Sequence, residues 1–157
     1  MSQQGFVMAV DSLPRASTEA IDKLGEIRYI LNKVYKFVVF KTSPTADVDG
    51  VAGDQVLYTD YSAHEVGTDA TDADGTLLAA GILTAAVDMS ADSGKYMWIQ
   101  IKGPATMNNA FAADPNIGEA FAPSTTDLTF TSATTLKQRC GISLHLVNKE
   151  VILDCTY

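Results

Sequence analysis

The chain has few residues suited to covalent or metal chemistry: two histidines and two cysteines among 157 residues. Cys140 and Cys155 are too few for a disulfide framework, and pairing diagonally across a hairpin they read as buried free thiols. There is no paired-cysteine zinc motif, no His-Glu-x-x-His pattern and no phosphate-binding glycine loop. His64 and His145 lack the neighbours of a nucleophile motif, and Ser143 and Asp154 beside His145 are the ordinary polar face of a hairpin. Catalysis, a metal and a cofactor are therefore not expected. Asp69, Asp72 and Asp74 before Gly75 suggest part of a calcium loop, but its first ligand position falls on Ala70 and its twelfth on Gly81, so the segment reads as a hydrated acidic loop.

Positive charge is also scarce. Eleven Lys and Arg face nineteen Asp and Glu, for a net charge of -8. Residues 42–94 hold ten of the acids and no Lys or Arg, so this middle is expected to be a solvated acidic surface. A chain without clustered cations cannot neutralise phosphates and release their counterions, so nucleic acid is not an expected partner. The longest apolar run, 77–87, is about half of what a bilayer crossing needs. Met1-Ser2-Gln3-Gln4 does not resemble the start of a secretory signal. The expectation is a soluble protein made in a cytoplasm, without a membrane partner.

What is present is strand chemistry. In Tyr96-Met97-Trp98-Ile99-Gln100-Ile101-Lys102, a period of two puts Met97, Ile99 and Ile101 on an apolar face and Tyr96, Trp98, Gln100 and Lys102 on the other. Gly103-Pro104 is expected to end that strand. Tyr35-Lys36-Phe37-Val38-Val39-Phe40 reads as a strand paired back to Ile27 through a turn near Asn32-Lys33. Residues 44–53 read as loop, 55–58 as strand, 61–66 as a further short strand, 68–75 as surface loop, 77–87 as a buried strand and 128–131 as a strand. Residues 105–123 are irregular, and one helix is expected at 17–24, capped by Ser17 or Thr18.

At the C-terminus, a two-residue turn at Asn148-Lys149 would pair Val147 with Glu150. Cys140, Ile142, Leu144 and Leu146 would then share a face with Val151, Leu153, Cys155 and Tyr157. The predicted fold is all-β: a single domain spanning 1–157, an antiparallel β-barrel or β-sandwich with a short N-terminal helical segment in an arm (1–24) and a C-terminal β-hairpin (139–157).

The series Leu24-Gly25-Glu26, Val34-Tyr35-Lys36-Phe37-Val38, Ala52-Gly53-Asp54-Gln55-Val56, Ala80-Gly81-Ile82 and Gly94-Lys95-Tyr96-Met97-Trp98-Ile99-Gln100 with Gly103-Pro104-Ala105 resembles the small capsid decoration, or cement, proteins of tailed bacteriophages. The likeness covers residues 24–107. It implies a barrel-like all-β protein of the virion exterior, often a homotrimer, that binds the major capsid protein and stabilises contacts between capsid subunits, with no enzymatic activity or cofactor. Under that reading the docking elements are the arm carrying Phe6, Val7, Met8 and Arg15 and the segment carrying Met107, Phe111 and Phe121, whose apolar residues read as exposed beside chain breaks. The competing class is a carbohydrate- or ligand-binding β module, in which Tyr96 and Trp98 would form an exposed stacking platform.

Overall fold

The computed structural model describes residues 17–41, 48–70, 78–109, 111–112, 115–133 and 139–155. Its elements follow the β-branched and aromatic runs: β1 (Ile27–Ile30), β2 (Lys33–Phe40), β3 (Gln55–Asp60), β4 (Glu65–Gly67), β5 (Ala79–Leu83), α1 (Met89–Asp92), β6 (Tyr96–Thr106), β7 (Ala120–Pro123), β8 (Phe130–Ser132), β9 (Gly141–His145) and β10 (Glu150–Asp154). The fold is all-β. β2, β4, β3, β5 and β6 pair in that cyclic order, and the β2–β6 pairing closes a five-stranded barrel, which leaves those strands few open edges. β6 runs on beyond the barrel and pairs with β10, opening a wing in the order β6-β10-β9-β7-β8.

Alternation along each strand sorts the side chains into three cores. Val38, Phe40, Val56, Tyr58, Val66, Met97, Ile99 and Ile101 fill the barrel. On the opposite face of β2 and β6, Tyr35, Phe37 and Trp98 pack beneath Leu24 and Ile30. Leu57, Ile82, Phe121, Phe130, Val151 and Leu153 join barrel to wing. The two faces expected of β6 are both present.

Several local expectations are corrected. Gly103-Pro104 does not end β6. Ile101 C=O accepts from Cys155 N–H and Met107 N–H donates to Lys149 C=O, so odd-numbered residues of β6 turn their backbone groups toward β10. Pro104, even-numbered, therefore points its missing N–H away from the ladder. The side-chain amide of Gln100 donates to Pro104 C=O at 3.0 Å on that other edge.

The segment 17–24 is not helical. Ser17 exchanges both backbone hydrogen bonds with Tyr96 at 2.8 Å, which holds it extended, and the few residues before Gly25 are too short to nucleate a helix against that bridge. The one helix among the described residues, α1, is a single turn. The Asp88 side chain accepts from Ser90 and Ala91 N–H, and Asp92 accepts from Asp88 N–H. Residues 61–64 form a turn leading into β4, and β7 lies within the segment read as irregular.

The C-terminal hairpin forms with another register. Ile152 pairs with Ile142, Val151 with Ser143 and Glu150 with His145, with a bulge between Glu150 and Val151. The loop closes through Lys149 N–H to Leu146 C=O, with Lys149, not Asn148, at positive φ. Cys140, Val151, Leu153 and Cys155 are buried as expected, whereas Ile142 and Leu144 face outward and Ser143 faces the core. Tyr157 lies outside the described residues.

The acidic middle is not wholly a solvated surface. Asp54 is buried, and its carboxylate accepts from Val51 N–H at 2.8 Å and from the side-chain amides of Asn108 and Asn109 at 2.9 Å each. Thr68, Asp69 and Ala70 are buried as well, and Ala70 N–H donates to the Asp127 carboxylate at 2.7 Å. Asp72 and Asp74 lie outside the described residues.

Candidate functional site

Two features present chemistry to solvent: a cavity at the mouth of the barrel and an apolar outer face on the wing. The cavity, about 340 Å³, lies between β1, β2, β3 and the middle of β6, and Ile27, Val34, Lys36, Tyr58, Ile101 and Cys155 contribute to its lining. Lys36 falls there because it shares the inward face of β2 with Val34, Val38 and Phe40. It is 6% exposed, and its Nζ donates to Tyr58 Oη at 2.8 Å. The ammonium also lies 5.0 Å from the Tyr58 ring centre and 5.2 Å from that of Tyr61, two faces that attract a cation.

Burial pushes the Lys36 pKa below that of an ordinary lysine and the Tyr58 pKa above that of an ordinary phenol. Nearby, burial first and the Lys36 charge second lower the pKa of His64, whose ring covers Gly25. Lys102, on the rim, is paired with Asp154 at 3.2 Å. On the other side of Cys155, its thiol donates to Cys140 C=O at 3.5 Å, and both cysteines are buried and not joined in a disulfide. Their mutual contact first and burial second hold the Cys140 thiol well above the usual thiol range. Among the described residues no three His, Cys, Asp or Glu side chains group in a way that could hold a metal.

The outer face of the wing follows from register. Pro104 of β6 pairs with Ile152 of β10, Ile152 with Ile142 of β9, and Ile142 with Ala120 of β7. Directly paired residues share a face, so these four form one apolar row across four strands. Leu144 lies two residues along β9 on the same side. Ile142 is 45%, Leu144 44% and Ile152 37% exposed, and Ile117 and Val147 add further exposed apolar side chains on the loops at this end of β9.

The residues expected to dock are distributed otherwise. Met107, Phe111 and Phe121 are buried, Phe121 in T-shaped contact with both Phe111 and Phe130, so the exposure expected of them is absent. A chain break does not by itself expose the apolar residue beside it when a third strand returns over it. Ile117 is the exposed large apolar residue of that segment among the described residues. Phe6, Val7, Met8 and Arg15 lie outside the described residues.

Trp98 is 0% exposed, 5.1 Å from Phe37 and under the Arg28 guanidinium at 4.6 Å. It forms no stacking platform. Sequence reasoning missed Lys36 because it sits within an apolar strand and reads as a solvated exception, although an inward phase shared with Val34 and Val38 was visible. It missed the outer row because the hairpin pairs Ile152 with Ile142 and not with His145, three residues from the expected register, an odd shift that exchanges the faces of β9.

No family model matches the chain, and no curated protein matches it. Among solved structures, the chain is similar to the N base of the head fiber gp8.5 of bacteriophage phi29, with a TM-score of 0.47 and 10% identity over 79% of this chain and 96% of that one.

Proposed function

We propose that this chain is a structural protein of a phage virion that binds the outer surface of the capsid and stabilises contacts between major capsid subunits, working as a homotrimer. The observation that carries the reading is the outer row Pro104, Ile152, Ile142 and Ala120 with Leu144 beside it, an apolar strip on a sheet face whose other side is already packed. Such a strip on a chain of net charge -8 suits contact with another protein better than contact with phosphates. The resemblance of residues 24–107 to capsid decoration proteins supplies the kind of partner. Its motifs fall mainly on the barrel, which acts as the scaffold, while the wing presents the contact.

A protein that binds the assembled shell and not free subunits stabilises the shell by mass action, and three linked contacts slow its release. The test is co-sedimentation with expanded heads of the phage that encodes it, comparing the natural chain with Ile152→Asp, Leu144→Asp and a deletion of residues 1–15. Saturable binding weakened by about tenfold or more in the aspartate variants is expected. Binding unchanged by both aspartates would remove the wing from the contact, and unchanged binding after the deletion would remove the arm.

The ligand-binding alternative loses its aromatic platform, since Trp98 is buried.

A further inference from the structure

We infer that the cavity at the barrel mouth is a binding site for a small monocarboxylate with an apolar body, its carboxylate on Lys36 Nζ and its body against Ile27, Val34 and Ile101. The inference is independent of the surface reading, because these residues lie on the barrel and not on the outer row of the wing.

A lysine ammonium carries three donors. Among the described residues, Lys36 Nζ has one hydrogen-bond acceptor, Tyr58 Oη, and no carboxylate partner. A charge buried to this degree is costly unless it is paired, and the two tyrosine rings offset only part of that cost. What the surroundings lack is an anion, and the space for one is adjacent. The cavity is at the small end of the about 300–1,000 Å³ typical of ligand pockets, with apolar walls and a few placed polar groups.

The charge balance favours a monoanion. Lys102, the other cation on the cavity, is engaged by Asp154, so one unpaired positive charge faces the space. A doubly charged phosphate would bring a negative charge with no partner into apolar walls. A carboxylate accepts from the two free Lys36 donors, and the Tyr58 hydroxyl keeps its place as their neighbour.

Calorimetric titration at neutral pH with 3-phenylpropionate and with its neutral amide tests this. The expected result is one-to-one saturable binding of the carboxylate, at least about tenfold weaker binding of the amide, and a similar loss in Lys36→Met. Because that variant removes a buried group, a second measurement uses the natural chain: saturating 3-phenylpropionate should slow reductive methylation of Lys36, followed by mass spectrometry, while methylation of the exposed Lys23 continues. Equal affinity for acid and amide, no saturation up to about 10 mM, or an unchanged methylation rate at Lys36 would each overturn the proposal.

Discussion

Gly103 shows how a single residue lets β6 serve two structures. At φ +96°, it sits where the strand leaves the barrel for the wing, and a Cβ there would meet Asn32 O at 2.2 Å and Lys33 Cα at 3.1 Å. Both obstacles are backbone of the β1–β2 hairpin, so neither can swing aside as a flexible side chain would. Gly103→Ala should therefore destabilise the fold by at least about 2 kcal/mol, adding left-handed strain to the clash, read as a lower urea midpoint. A change below about 0.5 kcal/mol, the scale of an ordinary surface substitution, would show that the strand turns without needing glycine. The dipeptide Gly103-Pro104 was legible as a break in regularity. Its meaning was not, because proline's missing N–H is harmful only on the side where a partner strand lies, and a sequence does not say which side that is.

At the scale of elements, β6 has to protect the edge that its second half leaves unpaired. Gln100 is buried, and its amide reaches Pro104 C=O at 3.0 Å and Lys102 C=O at 3.3 Å, standing in for a strand that is absent there. Gln100→Met keeps the volume and removes the donors. It is expected to cost about 1–3 kcal/mol, with faster amide exchange concentrated in residues 102–106; uniform exchange throughout β6 would contradict the role. The elements themselves were largely readable: the β1–β2 hairpin, β3 and β5 follow from aromatic, β-branched and apolar runs bounded by turn residues, and the two faces of β6 from period-two patterning. The C-terminal hairpin was placed correctly and registered wrongly. The bulge at Glu150 and Val151 shifts the alternation by one residue, and the pull behind it comes from β7, whose chain accepts Ser143 N–H at Glu119 C=O and Cys140 N–H at Phe121 C=O. That third strand is distant in sequence, so local turn chemistry could not reveal it. The same missing information hid the apolar row, since a slip of one residue exchanges the faces of a strand.

For the whole molecule, the central opposition is between the apolar row and the net charge. Any assembly of this chain with itself brings together bodies of charge -8, and their repulsion opposes the burial of Ile142, Leu144 and Ile152. The two terms respond differently to salt. At about 0.1 M ionic strength the screening length is about 10 Å, and it shortens to about 3 Å at 1 M, while the gain from covering apolar side chains is not weakened by a neutral salt. Where no shell covers the row, self-association of the free chain through the wing should therefore tighten as sodium chloride is raised, visible by light scattering as a shift from the 16.8 kDa chain toward larger species at fixed protein concentration. Ile152→Asp should abolish the shift at every salt concentration, because it places a charge in the centre of the row. Association that instead weakens with salt would mean that complementary charges hold the copies together, and the cations of residues 95–149 would then replace the apolar row as the contact to be mapped.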